Sequence, residues 1–154
     1  MIIKAIFSDF DGVFTDNNVL IDELGNELVK CSRSDGIGIE KLKKKNIYFC
    51  IVSSETVPLA QIRAKKLKVP CFTSVKNKYE VIKSIQSNMS FSKEECAFIG
   101  NDINDIKAFN AVGLKIAVSD SYREILEAAD LILTKKGGDG AVREACDTIL
   151  NRFY

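Results

Sequence analysis

One stretch near the N-terminus limits the fold more than any other. Ile2-Ile3-Lys4-Ala5-Ile6-Phe7-Ser8 runs mostly apolar into Asp9-Phe10-Asp11-Gly12. A run of this kind reads as a strand buried on both faces, which is the habit of parallel sheets covered by helices. Gly12 breaks the strand, so Asp9 and Asp11 are expected at the carboxyl end of a central strand. Open α/β sheets place their ligands there. Two carboxylates held this close repel, and both stay ionised only beside a cation. A hard cation such as Mg2+ fits, because it prefers oxygen ligands and keeps waters.

Strand and helix signals alternate along the rest of the chain. Asn17 to Cys31 holds two short β-prone runs around Gly25-Asn26, a hairpin with a short loop. A lone hairpin is marginally stable, so this one needs a surface to pack on. Ser32-Arg33-Ser34-Asp35-Gly36 reads as a loop ending in cap chemistry, with a helix from about Ile37 to Lys45. Strands follow at Ile47–Val52, Val69–Phe72, Cys96–Ile99, Leu114–Val118 and Leu131–Leu133. Between them lie helical stripes: Ala60, Ala64 and Leu67, then Val81, Ile85 and Met89, then Ile106 and Phe109. Pro58 suits a first helical turn. A short helix is expected near Arg123–Ala128, and a final one with Val142, Cys146 and Leu150 on one stripe. The alternation predicts a single domain over residues 1–154, a doubly wound, mainly parallel α/β sheet with a small hairpin insertion.

Composition narrows the chemistry. The chain has no histidine, which removes Ser-His-Asp and Cys-His catalysis and most zinc sites. Acid–base work then falls to carboxylates. The five cysteines are widely spaced without a C-x-x-C pair, as expected of reduced, buried thiols. A net charge of +1 makes no electrostatic case for nucleic acid or a membrane surface. No apolar run has bilayer length, and no signal peptide precedes the first strand, so a cytoplasmic protein is expected.

The polar clusters fall where strands are expected to end. Asp9 and Asp11 follow the first strand, Ser53 the second, Lys78 the third and Asn101, Asp102 and Asp105 the fourth. Parallel strands bring these ends to one edge. Carboxylates there hold a metal, while a hydroxyl and an ammonium hold phosphate oxygens. A receiver-type signalling domain shares some of these parts, but its acceptor aspartate would stand where this chain has Ser53.

DFDGVFTDN, SRSDGIGI, GNDIND and GGDGAVRE, in that order, resemble the motifs of the haloacid dehalogenase superfamily along the whole chain. The chain is most similar to small members without an inserted cap domain. These are the 3-deoxy-octulosonate 8-phosphate phosphatases, the 2-keto-3-deoxy-nonulosonate 9-phosphate phosphatases, and the similar domain of acylneuraminate cytidylyltransferases. The resemblance implies a Mg2+-dependent phosphomonoesterase acting on a small phosphorylated sugar acid. A non-catalytic assembly partner of a cytidylyltransferase is the contrasting role, against which both Asp9 and Asp11 are present.

By the same resemblance, Asp9 is the nucleophile and Asp11 the general acid–base, with Ser53 and Lys78 on phosphate oxygens. Mg2+ would take Asp9, the Asp11 carbonyl and a side chain from Asn101 or Asp102, with Asp105 orienting its waters. Many relatives carry aspartate where Asn101 stands. Asn17, Ser34, Asp35 and Gly36 would line the sugar pocket, with Gly138, Gly140 and Arg143 closing it. Assembly into a homotetramer would let each hairpin cover a neighbour's site. Octulosonate phosphatases typically carry Gly-Arg where this chain has Ser54-Glu55. Glu55 and Lys66 resemble the nonulosonate pair, and their spacing of eleven residues places them near one face of a helix. A nine-carbon substrate is therefore expected, with the eight-carbon one as the alternative.

Overall fold

The computed structural model describes all of residues 1–154. The strands are β1 (Ala5–Ser8), β2 (Leu20–Ile21), β3 (Glu27–Leu28), β4 (Tyr48–Val52), β5 (Cys71–Phe72), β6 (Cys96–Gly100), β7 (Leu114–Ala117) and β8 (Leu131–Ile132). The helices are α1 (Arg33–Lys44), α2 (Leu59–Leu67), α3 (Lys78–Met89), α4 (Ile106–Asn110), α5 (Arg123–Ala128) and α6 (Ala141–Arg152). Six strands form one parallel sheet in the order β5-β4-β1-β6-β7-β8. β1 lies between β4 and β6, with Ile6 opposite Phe49 on one side and Ala97 on the other.

β1 is buried along its whole length, as its unbroken apolar run requires. One face of the sheet is covered by α1, α2 and α6 through Ile6, Ile39, Leu42, Ala64 and Ile149. The other is covered by α3, α4 and α5 through Phe7, Phe98, Ile82, Phe109 and Ile125. Each buried Ile, Leu or Phe among them contributes about 1.5–3 kcal/mol relative to exposure. Only the hairpin β2–β3 is inserted between β1 and α1.

Two helices differ from expectation for identifiable reasons. α1 begins at Arg33, ahead of the expected Ile37. Ser32 caps it, its hydroxyl accepting from the Ser34 N–H at 3.3 Å. The Asp35 carboxylate accepts from the Arg143 N–H at 3.0 Å, in the first turn of α6. α6 has Gly140 as its own N-cap and no capping side chain. Asp35 therefore caps α6 from across the chain, and that partnership draws Ser34, Asp35 and Gly36 into helix.

α3 is turned relative to the expected stripe of Val81, Ile85 and Met89. Its buried residues are Lys78, Ile82, Ile85 and Gln86, and Met89 is 45% exposed. Lys78 is drawn beneath the strand ends by two carboxylates, and the residues four, seven and eight positions on follow it inward.

Candidate active site

Asp9 leaves β1 with its side chain nearly buried. Its Oδ1 accepts from the Phe10 N–H at 2.8 Å and pairs with Lys78 Nζ at 2.8 Å. Asp9 Oδ2 makes no hydrogen bond within the chain. Lys78 also pairs with Asp105 at 2.7 Å. Burial opposes the charge on Lys78, but Asp9 and Asp105 outweigh it and raise the ammonium's pKa above its usual value. Burial, then the Asp9 charge, push the Asp105 carboxyl upward.

β6 delivers the second cluster. Asp105 Oδ2 accepts from the Asn101 N–H at 2.9 Å and fixes the loop. Asp102 accepts from the Ile103 N–H at 2.6 Å and caps the turn that follows. Asn101 Oδ1 is buried and has no partner. A Cβ on Gly12 would fall 1.9 Å from Asn101 Nδ2, so only glycine lets this amide sit against the first loop.

A polar cavity of about 330 Å3 opens at these strand ends, with Asp9, Asp11, Ser53, Asn101 and Asp102 on its walls. A smaller one, of about 210 Å3, adjoins it at Asp11, Asn17 and Glu55. Glu27 and Val19 from the hairpin wall one side of it, Val57 and Leu59 the other. Burial raises the Asp11 pKa, and the charges of Glu55 and Glu27 push it the same way against Lys78. A carboxyl raised in this way is suited to giving up a proton during reaction.

Comparison with known proteins agrees with this geometry. Residues 72–144 match the haloacid dehalogenase-like hydrolase model. The 3-deoxy-D-manno-octulosonate 8-phosphate phosphatase of Yersinia pestis is 32% identical over 149 residues, covering 96% of this chain and 80% of that protein. The chain belongs to the haloacid dehalogenase-like hydrolases. Another solved hydrolase of this kind is the octulosonate 8-phosphate phosphatase of Moraxella catarrhalis, in complex with magnesium, phosphate and the sugar acid. It is 30% identical, with a TM-score of 0.92 over 97% of this chain and 86% of that one. The cobalt-bound phosphatase of Haemophilus influenzae is 31% identical, with a TM-score of 0.91 over 97% and 88%.

The residues of this haloacid dehalogenase-like hydrolase fit a hard cation. Asn101 Oδ1 is an unpaired buried oxygen, on a wall it shares with Asp9 and Asp11. Asp102 is engaged in capping, so Asn101 is the better placed of the two. Asp9, Asp11, Asn17, Ser53, Ser54, Glu55, Asn101 and Asp102 share one cavity, with Lys78 and Asp105 buried at its base. Ser53 Oγ accepts from the Glu55 N–H at 3.2 Å and holds that loop in shape.

Other expected residues lie elsewhere within the chain. Ser34, Asp35, Gly36, Gly140 and Arg143 belong to the packing of α1 rather than the cavity. Asp35 is fully buried, with one oxygen on Arg143 N–H. A Cβ on Gly140 would lie 3.1 Å from Ser34 Oγ, and one on Gly36 3.1 Å from Leu67. Arg143 pairs with Asp147 at 2.7 Å along α6. Gly138 packs on the first loop, its N–H donating to the Val13 carbonyl at 3.1 Å. Lys66 is exposed on α2, and Glu55 precedes that helix, so the expected shared helical face does not form. Glu27 is the site residue that sequence reasoning missed. Its only sequence signal was an acid on a hairpin strand, which reads as ordinary solvent-facing polarity.

Proposed function

We propose that this protein is a Mg2+-dependent phosphomonoesterase that cleaves a phosphorylated keto-deoxy sugar acid through a phosphoryl group carried on Asp9. The observation that carries this reading is Asp9 itself. One oxygen is held by Phe10 N–H and Lys78, and the other makes no hydrogen bond within the chain. Asp9 Oδ2 attacks phosphorus in line and a new O–P bond forms as the ester P–O bond breaks. Asp11 gives its proton to the departing sugar oxygen. It then takes a proton from the water that attacks the aspartyl-phosphate, and phosphate leaves with Asp9 restored. Ser53 and Lys78 hold the non-bridging oxygens. Asp9, the Asp11 carbonyl and Asn101 would hold Mg2+, with Asp105 behind them. When bound, the metal screens Asp9 from the phosphate charge.

The octulosonate phosphatases among its relatives support an eight-carbon substrate. Glu55 on the cavity wall supports the longer nine-carbon acid, because a carboxylate beside it would be repelled. The preference for nine carbons rests on Glu55. Parallel kcat/KM measurements on the two sugar acid phosphates decide it, and equal or better turnover of the eight-carbon one reverses the assignment.

The proposed assembly is a homotetramer in which each hairpin lies over a neighbouring copy's site. Leu20, Ile21, Leu24 and Leu28 are exposed on the hairpin and give it an apolar surface to bury. The proposed setting is the cytoplasm, supported by five unpaired cysteines. No helix is long and apolar enough to cross a membrane. The first test is hydrolysis of p-nitrophenyl phosphate: present with Mg2+, lost on chelation, restored by Mg2+, and absent from Asp9→Asn.

A further inference from the structure

A groove of about 420 Å3 opens at the amino edge of the sheet, at the other end from Asp9 and Ser53. It lies between the start of β4, the approach to β5 and the end of α3. Tyr48, Val69, Met89 and Phe91 give it an apolar floor, Lys43 and Lys68 stand on its walls, and no acid lines it. Met89 is 45% exposed. Lys43 is committed to Glu40 and to the Leu67 carbonyl. Lys68 is exposed and in no ion pair. Glu95, four positions after Phe91, is already paired with Lys4. The positive charge extends beyond the groove. Residues 41–68 hold eight lysines and arginines and one acid, Glu55, which lies on the catalytic cavity instead. The whole chain has a charge of only +1, so its remainder is acidic. We propose that this groove docks an acidic segment of a partner protein, which seats apolar side chains between Met89 and Phe91 and lays carboxylates on the lysines at the ends of α1 and α2.

Charge and shape together select the occupant. Helices α1, α2 and α3 all end at this edge. A helix end carries about half a negative charge, which one lysine beside it offsets. Lys44, Lys65 and Lys68 are all exposed and outside any ion pair, so positive charge remains once the helix ends are satisfied. No helix N-terminus and no glycine stands on the groove wall, so a compact phosphate finds no cradle of N–H donors there. The lysines are spread over the last turns of two helices, which matches carboxylates spaced along a chain. Exposed ion pairs contribute little by themselves, so the apolar floor must supply the rest of the affinity. Cavities of roughly 300–1,000 Å3 take a drug-sized group, which leaves space here for about two large side chains. An amphipathic acidic peptide supplies both parts. The groove and Asp9 stand at opposite ends of the sheet, so the occupant leaves the catalytic cavity open.

Fluorescence anisotropy on the full chain tests this, with a labelled peptide of about twelve residues, rich in Asp and Glu around a central Phe-Leu pair. Binding is expected with a Kd of about 10–100 μM. A peptide with Ala-Ala at its centre, or with its acids replaced by amides, should bind about tenfold more weakly. Lys68→Glu should weaken binding by about tenfold and Met89→Gln by about threefold. Lys107→Glu, an exposed lysine on α4, should change it by less than about twofold. Melting profiles of the three variants establish that each is folded. Absence of binding by about 1 mM overturns the proposal, as does an Ala-Ala peptide that binds equally well. Equal loss in all three variants, or equally tight binding of ADP or of a short single-stranded oligonucleotide, does the same. A change of particle mass in Lys68→Glu, read by light scattering, would assign the groove to a second copy of this chain and also overturn it. The probe is not a phosphate ester, so this test stands or falls apart from the phosphatase reading.

Discussion

Asn101 faces a group of carboxylates without adding a charge to them. The affinity of a hard cation grows with the number of charged oxygen ligands. Asn101→Asp should therefore tighten Mg2+ binding by about tenfold, read by titration calorimetry. The same change adds a like charge near Asp9 and Asp105, so the metal-free variant should melt below the unmodified protein. An unchanged affinity would mean that the side chain at 101 is not a ligand. Asp9→Asn is the complementary case. It keeps the volume of Asp9 and removes the proposed nucleophile, so turnover should fall by several orders of magnitude with the fold intact. Activity above a small fraction of the original would rule out a phosphoryl group on Asp9.

Asp35 is fully buried between α1 and α6, with one carboxylate oxygen on the Arg143 N–H. Burial pushes its carboxyl up to about 6, although the bond from Arg143 N–H and the nearby Arg63 charge pull the other way. A folded value above the unfolded one means that folding favours the protonated form. That stability is complete below about pH 4 and is lost as pH rises through about 6. Asp35→Asn should remove this dependence. Between pH 5 and 7 the unmodified protein should lose about 1 kcal/mol relative to the variant, measured by urea unfolding. Parallel pH profiles for the two proteins would contradict it.

At the scale of elements, the central strands were legible because each is a continuous apolar run ended by a polar or glycine break. β1, β4 and β6 needed no partner to be recognised, and the strand-end rule then placed Asp9, Ser53 and Asn101 on one edge. The misread elements depend on distant partners. The start of α1 rests on Arg143, 108 positions away in the chain. The rotation of α3 rests on Asp9 and Asp105 capturing Lys78. Glu27 was hidden because nothing local distinguishes a hairpin acid facing a cavity from one facing water. In the glycine turn after β8, Gly137 and Gly138 are wedged against the loop after β1. A Cβ on Gly137 would fall 1.9 Å from the Gly12 carbonyl oxygen. Gly25, at the hairpin tip, has a positive φ of 81° and nothing within 4 Å of its missing Cβ. Gly25→Ala should cost about 1 kcal/mol through backbone strain alone. Gly137→Ala should cost about 3 kcal/mol or more, and lower kcat by displacing the loop that holds Asp11. Equal melting shifts in the two variants would show that the wedge bears no load.

The hairpin carries the most exposed leucines of the whole molecule. Leu20 is 73% exposed and Leu24 82%, in a chain whose main core is otherwise closed. Light scattering should report four copies per particle at micromolar concentration. Leu20→Asp with Leu24→Asp should dissociate it, and activity on a sugar acid phosphate should fall with the loss of the neighbouring hairpin. Because the proposed contact is apolar, added salt should not dissolve the unmodified assembly. A monomer with full activity would remove the case for assembly.

The contact between Gly137 and Gly12 also sets an order in time. A ribosome makes Asp9 and Asp11 more than a hundred residues before Gly137. The loop that carries Asp11 is unsupported until α6 has emerged and its start has docked on α1 through Asp35. A nascent chain held on the ribosome before residue 137 would thus carry every acid of the site and still be unable to turn over a phosphate ester. Extension past α6 should switch activity on in a single step rather than in proportion to length.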